Sequence, residues 1–202
     1  MNLQMILDFV FRREQIGVVY TKTSRDEYYE MSLFPNYLNK FLIPYRKTGY
    51  ESTQQTLNIN NIFLGDSEAQ LVKELGEPRY VFEKNHSDNF STKTYFYKMR
   101  LFGKNVLIQY AFVKDTLICS SVEFKSATST SFHDEVKDHF SKTLLEREYA
   151  YEGEFDLLIK DKQENLFWLN DNAVLRLNYF ISREKFLELT GHEPFFASEL
   201  GK

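Results

Sequence analysis

The chain has 202 residues, with 25 Lys and Arg against 29 Asp and Glu for a formal charge of −4, and it contains 19 Phe and 13 Tyr but only 8 Gly and 4 Pro. A chain of this length buries roughly 70% of its unfolded surface, and its aromatic content favours strands and excludes a disordered chain. No basic run is longer than Arg12-Arg13 or Arg46-Lys47, which excludes the clustered cationic footprint of a non-specific nucleic-acid binder.

In chain order, Leu3, Ile6, Leu7, Val10 and Phe11 fall on one helical face, and Gly17 supplies a stop, so an amphipathic helix is expected at the start. Asp8 interrupts its apolar run and the arginines follow it instead of preceding it, so neither a signal peptide nor a membrane span is expected. Pro35 is positioned to open a helix carrying Tyr37, Leu38, Phe41 and Leu42, which Pro44 ends. From Thr48 to Asn61 the chain is polar and nearly uncharged, which reads as a linker or long loop.

Beyond that point a pattern recurs. Ser67 with Gln70 three residues on forms a capping box for a helix that buries Leu71, Val72 and Leu75. Strands are expected over 79–83, 95–102, 106–113 and 116–124, with turns at Gly103-Lys104 and Lys114-Asp115. Ser131 with Asp134 repeats the box for a helix that buries Phe132, Val136 and Phe140, and strands follow over 146–151, 155–160, 165–169 and 173–180. The offset of about 60 residues suggests a duplicated helix-plus-meander unit. A closing helix from Ser182 to Leu189, stopped at Gly191, completes the reading. The fold class is therefore α+β: tandem helix-plus-antiparallel-meander units with an additional N-terminal helical segment. Its divisions are 1–60, 61–128 and 129–202.

The stretch Leu64-Gly65-Asp66-Ser67, Leu71-Val72, Leu75-Gly76-Glu77-Pro78 and Tyr95-Phe96-Tyr97 resembles the repeat of the β-lactamase inhibitor protein and of SmpA/OmlA outer-membrane assembly lipoproteins. There a short helix ends in a Gly-x-Pro turn before an aromatic strand opens a small antiparallel meander. The second copy here matches only in the order of its elements, since no Gly-x-Pro follows its helix. What the resemblance implies is a non-catalytic protein-binding module.

Residues with chemistry are sparse. Cys119 is the sole cysteine, so no intramolecular disulfide forms, and such usage points to a reducing, cytoplasmic setting. Alternation places Cys119, Ser121 and Glu123 opposite Ile118, Ser120, Val122 and Phe124, with no base beside the thiol. His133 and His139, six apart, point about 120° away from each other on a helix and cannot chelate one ion. His86 falls in a polar surface loop. No phosphate loop, dinucleotide fingerprint or nucleophile elbow occurs, so no cofactor, metal or catalytic residue is assigned.

Two constellations remain. Tyr37, Lys40, Tyr45, Arg46 and Lys47 combine rings with cations as a candidate ligand surface, which helix packing explains equally well. Glu146, Glu148, Glu152, Glu154 and Asp156 all stand at even positions, so an extended chain would present them on one face, either as a solvated edge or as a docking site for a basic partner protein. The expected function is a non-enzymatic module that binds a partner protein as inhibitor, immunity-type neutraliser or assembly factor, with no nucleic acid and no membrane. The alternative is an enzyme or small-ligand-binding protein using a pocket between the N-terminal segment and the sheet. The sequence assigns no oligomeric state.

Overall fold

The computed structural model describes residue 29 and residues 49–87, 90–124, 130–146, 156–171 and 175–191. The chain divides into two compact units, Met1–Pro35 and Asn36–Lys202. Only the buried Tyr29 is described in the first. All elements named below belong to the second.

These are β1 (Glu51–Ser52), α1 (Glu68–Leu75), β2 (Tyr80–Ser87), β3 (Phe90–Leu101), β4 (Lys104–Val113), β5 (Thr116–Glu123), α2 (Thr130–Leu145), β6 (Asp156–Lys160), β7 (Leu166–Asp171), β8 (Leu175–Phe180) and α3 (Arg183–Thr190). The strands form one mixed eight-stranded sheet in the order β1-β6-β7-β8-β5-β4-β3-β2. Every pairing is antiparallel except the short parallel contact of β1 with β6. An α+β fold dominated by antiparallel sheet is what the aromatic, strand-rich composition demands.

Local chemistry sets the element ends. Ser67 caps α1 by accepting the Gln70 amide at 3.2 Å, and Gly76 closes it by donating its amide to Val72 O. Ser182 and Gly191 do the same for α3, where Gly191 is left-handed. Ser131, by contrast, lies inside α2 and is not its N-cap, because the helix already begins at Thr130. The β3–β4 and β4–β5 hairpins turn on Phe102-Gly103 and Lys114-Asp115, all at positive φ, the pairing that matches the twist of adjoining strands. The first turn thus falls one residue earlier than expected.

Cross-strand partners share a sheet face, so the register assigns every side chain to one side. On one face Tyr97, Ile108, Val122, Leu177, Leu169 and Leu157 form a single row across six strands. Both α1 and α2 lie on this side: Tyr97 Oη donates to Gly76 O at 2.9 Å, and Phe140 of α2 stacks on Phe167 at 4.9 Å between ring centroids. The far face carries the row Phe96, Gln109, Ser121, Asn178, Trp168 and Leu158, and it too is buried. Central strands covered on both faces read as nearly continuous apolar runs, and Val106–Val113 is one.

The stretch 48–61 was expected to be a linker, yet its described part, 49–61, is built into the sheet unit. Glu51–Ser52 pairs with β6, Thr53 N donates to Lys160 O, and Thr53, Leu57, Ile59 and Ile62 are buried. Tyr110 Oη donates to Ile59 O, which fastens the stretch to the helix-bearing face. Ser52, Gln54, Gln55 and Asn58 are exposed while Thr53, Leu57 and Ile59 anchor the stretch, so composition alone misleads.

A buried polar knot ties the second meander together. Asp161 Oδ1 accepts the amides of Gln163 and Asn165, and its Oδ2 accepts Tyr179 Oη at 2.6 Å and Asn165 Nδ2 at 3.1 Å. Asn165 Oδ1 in turn accepts the Ser182 amide. One carboxylate thereby fixes the β6–β7 turn, the end of β8 and the start of α3.

Candidate functional site

Neither constellation expected from sequence is assembled among the described residues. Tyr37, Lys40, Tyr45, Arg46 and Lys47 lie outside them, as do Glu148, Glu152 and Glu154 and the side chain of Asp156. Glu146 is described, and it departs from the extended row: α2 runs on to Leu145, and Glu146 follows it in a left-handed turn at φ 53°. The expected strand over 146–151 therefore does not begin at Glu146.

His133 and His139, the histidines whose side chains are described, do not converge either. His139 packs edge-on against Phe102 at 5.1 Å, and His133 against Phe132. Among the described residues no group of three His, Cys, Asp or Glu side chains is placed to hold a metal, and no helix is long and apolar enough to cross a membrane. Cys119 is buried on the far face, and burial pushes its thiol well above the ordinary range, away from the thiolate a nucleophile needs.

The best-formed polar cluster outside the core is at the start of α1. Glu68 Oε2 accepts from both Lys93 Nζ and Tyr95 Oη, while the Glu68 amide donates to Asp115 Oδ1. The hydrogen bond to Glu68 raises the Lys93 ammonium further above its ordinary range, and burial, then the same carboxylate, raises Tyr95. Burial also pushes Tyr97 up to about 12. Acid–base catalysis needs a group poised near the working pH, and each of these shifts leads away from it. The cluster is a clamp: with the Tyr97 bond to Gly76 it fixes both ends of α1 over β3.

That placement has a consequence at the sheet margin. α1 covers β3, so β2 lies beyond it as the last strand. Register with β3 puts Val81 and Glu83 on the helix-bearing side and Tyr80, Phe82 and Lys84 on the other. Val81 is 37% exposed, one of two large hydrophobic residues so exposed among the described residues, and Glu83, Lys84 and Asn85 are exposed beside it. Among the described strands none pairs with the outer edge of β2. The opposite end of the sheet offers only the two residues of β1, crossed by Lys160 Nζ over the Tyr50 ring. Sequence reasoning expected a strand over 79–83 and a polar loop at His86, whereas β2 runs over Tyr80–Ser87; its position at the margin was not legible, because sheet order has no local signal.

No family model matches the chain, and no curated protein matches it. Among solved structures it is similar to an extracellular protein containing an SCP domain from Bacillus anthracis str. Ames, at 12% identity and a TM-score of 0.39. The match covers 71% of this chain and 51% of that one, so this chain spans about half of that protein's length. At such a TM-score the likeness carries no argument about function.

Proposed function

We propose that the chain is a non-enzymatic protein-binding module that engages another polypeptide by strand addition at β2. The observation that carries this reading is the eight-residue outer strand with an exposed Val81, at the margin of a sheet whose central strands are closed on both faces. Strand addition satisfies the free backbone donors and acceptors of an edge, and alternate side chains supply selectivity. In this reading Lys93 and Tyr95 hold α1 over β3, and the buried Cys119 thiol is a packing group.

The order α1 then β2 to β5, followed by α2 then β6 to β8, supports a duplicated helix-plus-meander unit of the kind seen in the β-lactamase inhibitor protein and SmpA/OmlA repeats. In this reading the two meanders meet through their last strands, β5 and β8, as a twofold duplication would place them. The cytoplasmic setting belongs to the same proposal and rests on the single, free, buried thiol of Cys119.

The test is capture from the native source with the parent chain and with Val81→Lys, which places a cation on the edge without disturbing the core. A bound protein should be lost with Val81→Lys at an unchanged thermal midpoint. Equal recovery by both proteins would refute docking at β2.

A further inference from the structure

We infer that the chain which docks on β2 is a second copy of this one, joined antiparallel about a twofold axis at Val81. This rests on the reading of β2 as the docking edge. The sheet ends in β2 on one side and in the two-residue β1 on the other. Joining β2 to β1 would propagate without closing, through a contact two residues long. Joining β2 to β2 is isologous and closes after one step.

Charge and the exposed Val81 together narrow the register. A twofold axis perpendicular to the sheet keeps like faces together, so the numbers of facing residues sum to an even value. Centring the axis on Glu83 or on Lys84 sets two like charges directly opposite each other, which is destabilising. Centring it on Phe82 sets the exposed Val81 against a carboxylate, Glu83 of the second copy. Centring it on Val81 sets Val81 against Val81 and Tyr80 against Phe82 of the second copy, twice. This register alone among the four buries the exposed apolar residue against its own kind with no like charges opposed.

The contact is short. Pairing over a few residues belongs with interfaces below about 1,200 Å², which form weak, transient complexes, so the dimer should depend on concentration. Sedimentation equilibrium of the full chain, taken up to about 1 mM, the weak end of affinities such work resolves, should show mass rising from 24.1 kDa towards twice that value. Val81→Lys should remain monomeric throughout, with an unchanged circular dichroism spectrum.

The register has its own readout. Directly facing Cα atoms lie about 4.5–5.5 Å apart, within the span of a disulfide. Val81→Cys should therefore cross-link on mild oxidation into a covalent dimer that reductant reverses. Glu83→Cys should not, because two such residues would stand roughly 14 Å apart along the strands. The native Cys119 is 1% exposed and does not compete.

A parent chain that stays monomeric over the whole range overturns the inference. So does cross-linking of Glu83→Cys as fast as Val81→Cys, which would overturn the register. If the parent is monomeric but Val81→Lys releases a different captured protein, strand addition at β2 stands and the second copy falls. If Val81→Lys changes neither self-association nor capture, both fall.

Discussion

The buried carboxylate Asp161 offers the sharpest test of how the second meander is held. Tyr179→Phe removes one hydroxyl from a fully buried ring and nothing else. The strongest bond lost is the charge-assisted one to Asp161 Oδ2, at 2.6 Å, and such bonds contribute about 1.5–3 kcal/mol; the hydroxyl also accepts from Asn165 Nδ2 at 3.4 Å. The carboxylate keeps the Gln163 and Asn165 amides and Asn165 Nδ2, so the variant should lose about 2 kcal/mol and still fold, given a typical total of about 5–15 kcal/mol. Asp161→Asn retains Oδ1 for the two amides but turns a donor towards Asn165 Nδ2. The buried donor–donor contact should cost about 2–3 kcal/mol. Because Tyr179 Oη can rotate to accept from the new amide, the two substitutions share one interaction and should not add. Urea unfolding, followed by circular dichroism, gives both single values and the double-variant coupling. A Tyr179→Phe protein within about 0.5 kcal/mol of the parent, or additivity within that error, would refute the account of Asp161 as the knot.

Three further outcomes are expected. Burial raises the hydroxyls of Tyr110 and Tyr179 above their ordinary range, so their contribution is whole below the unfolded value near pH 10 and is lost as pH rises above it. Unfolding free energy should fall by about 1.4 kcal/mol per pH unit for each tyrosine, and Tyr179→Phe should remove one such increment of slope. Gly76 sits at φ 76°, ψ −166°, a region essentially confined to glycine, whereas Gly191 is left-handed at φ 68°, ψ 6°. No heavy atom lies within 4 Å of an added Cβ at either site, so only backbone strain counts. Gly76→Ala should cost about 1–3 kcal/mol and resist rescue by Asn, while Asn at 191 should be tolerated; equal losses in thermal unfolding would contradict this. Cys119 should react with a disulfide reagent only as the protein unfolds, and rapid labelling of the native chain would show the thiol to be reachable.

Much of the local structure was legible because its signals are short. The Ser67 and Gln70 pair marked α1, Gly76 and Gly191 marked helix ends, and the run Val106–Val113 marked a strand. The polar stretch around Gln54, Gln55 and Asn58 was misread because its anchors, Thr53, Leu57 and Ile59, are a minority among polar neighbours whose side chains face water. The Asp161 knot was invisible for a different reason. Asp161, Asn165, Tyr179 and Ser182 form no motif in sequence and meet only through the β6–β7 turn and the register of β7 with β8. At Glu146 even spacing implies an extended chain, but α2 reaches Leu145 and a left-handed turn follows it, while Glu148, Glu152 and Glu154 lie outside the described residues.

The same limit applies to the proposed docking edge, and it explains why the faces are poor candidates. Gln109, Ser121 and Asn178 on the far face look in sequence like the polar half of an alternating strand, yet all are buried, and Ser121 Oγ donates to Asn178 Oδ1. A face closed on both sides of the central strands leaves backbone at the margins as the accessible pairing surface of the sheet. An unguarded margin would recruit any extended chain. In β2, however, Glu83 and Lys84 follow directly on Tyr80, Val81 and Phe82, so most registers of self-pairing meet a repelling or mismatched charge and the one centred on Val81 does not. The charged pair that guards the edge against indiscriminate stacking thus disfavours the pairings centred on Phe82, Glu83 and Lys84, and the exposed Val81 favours the one centred on itself.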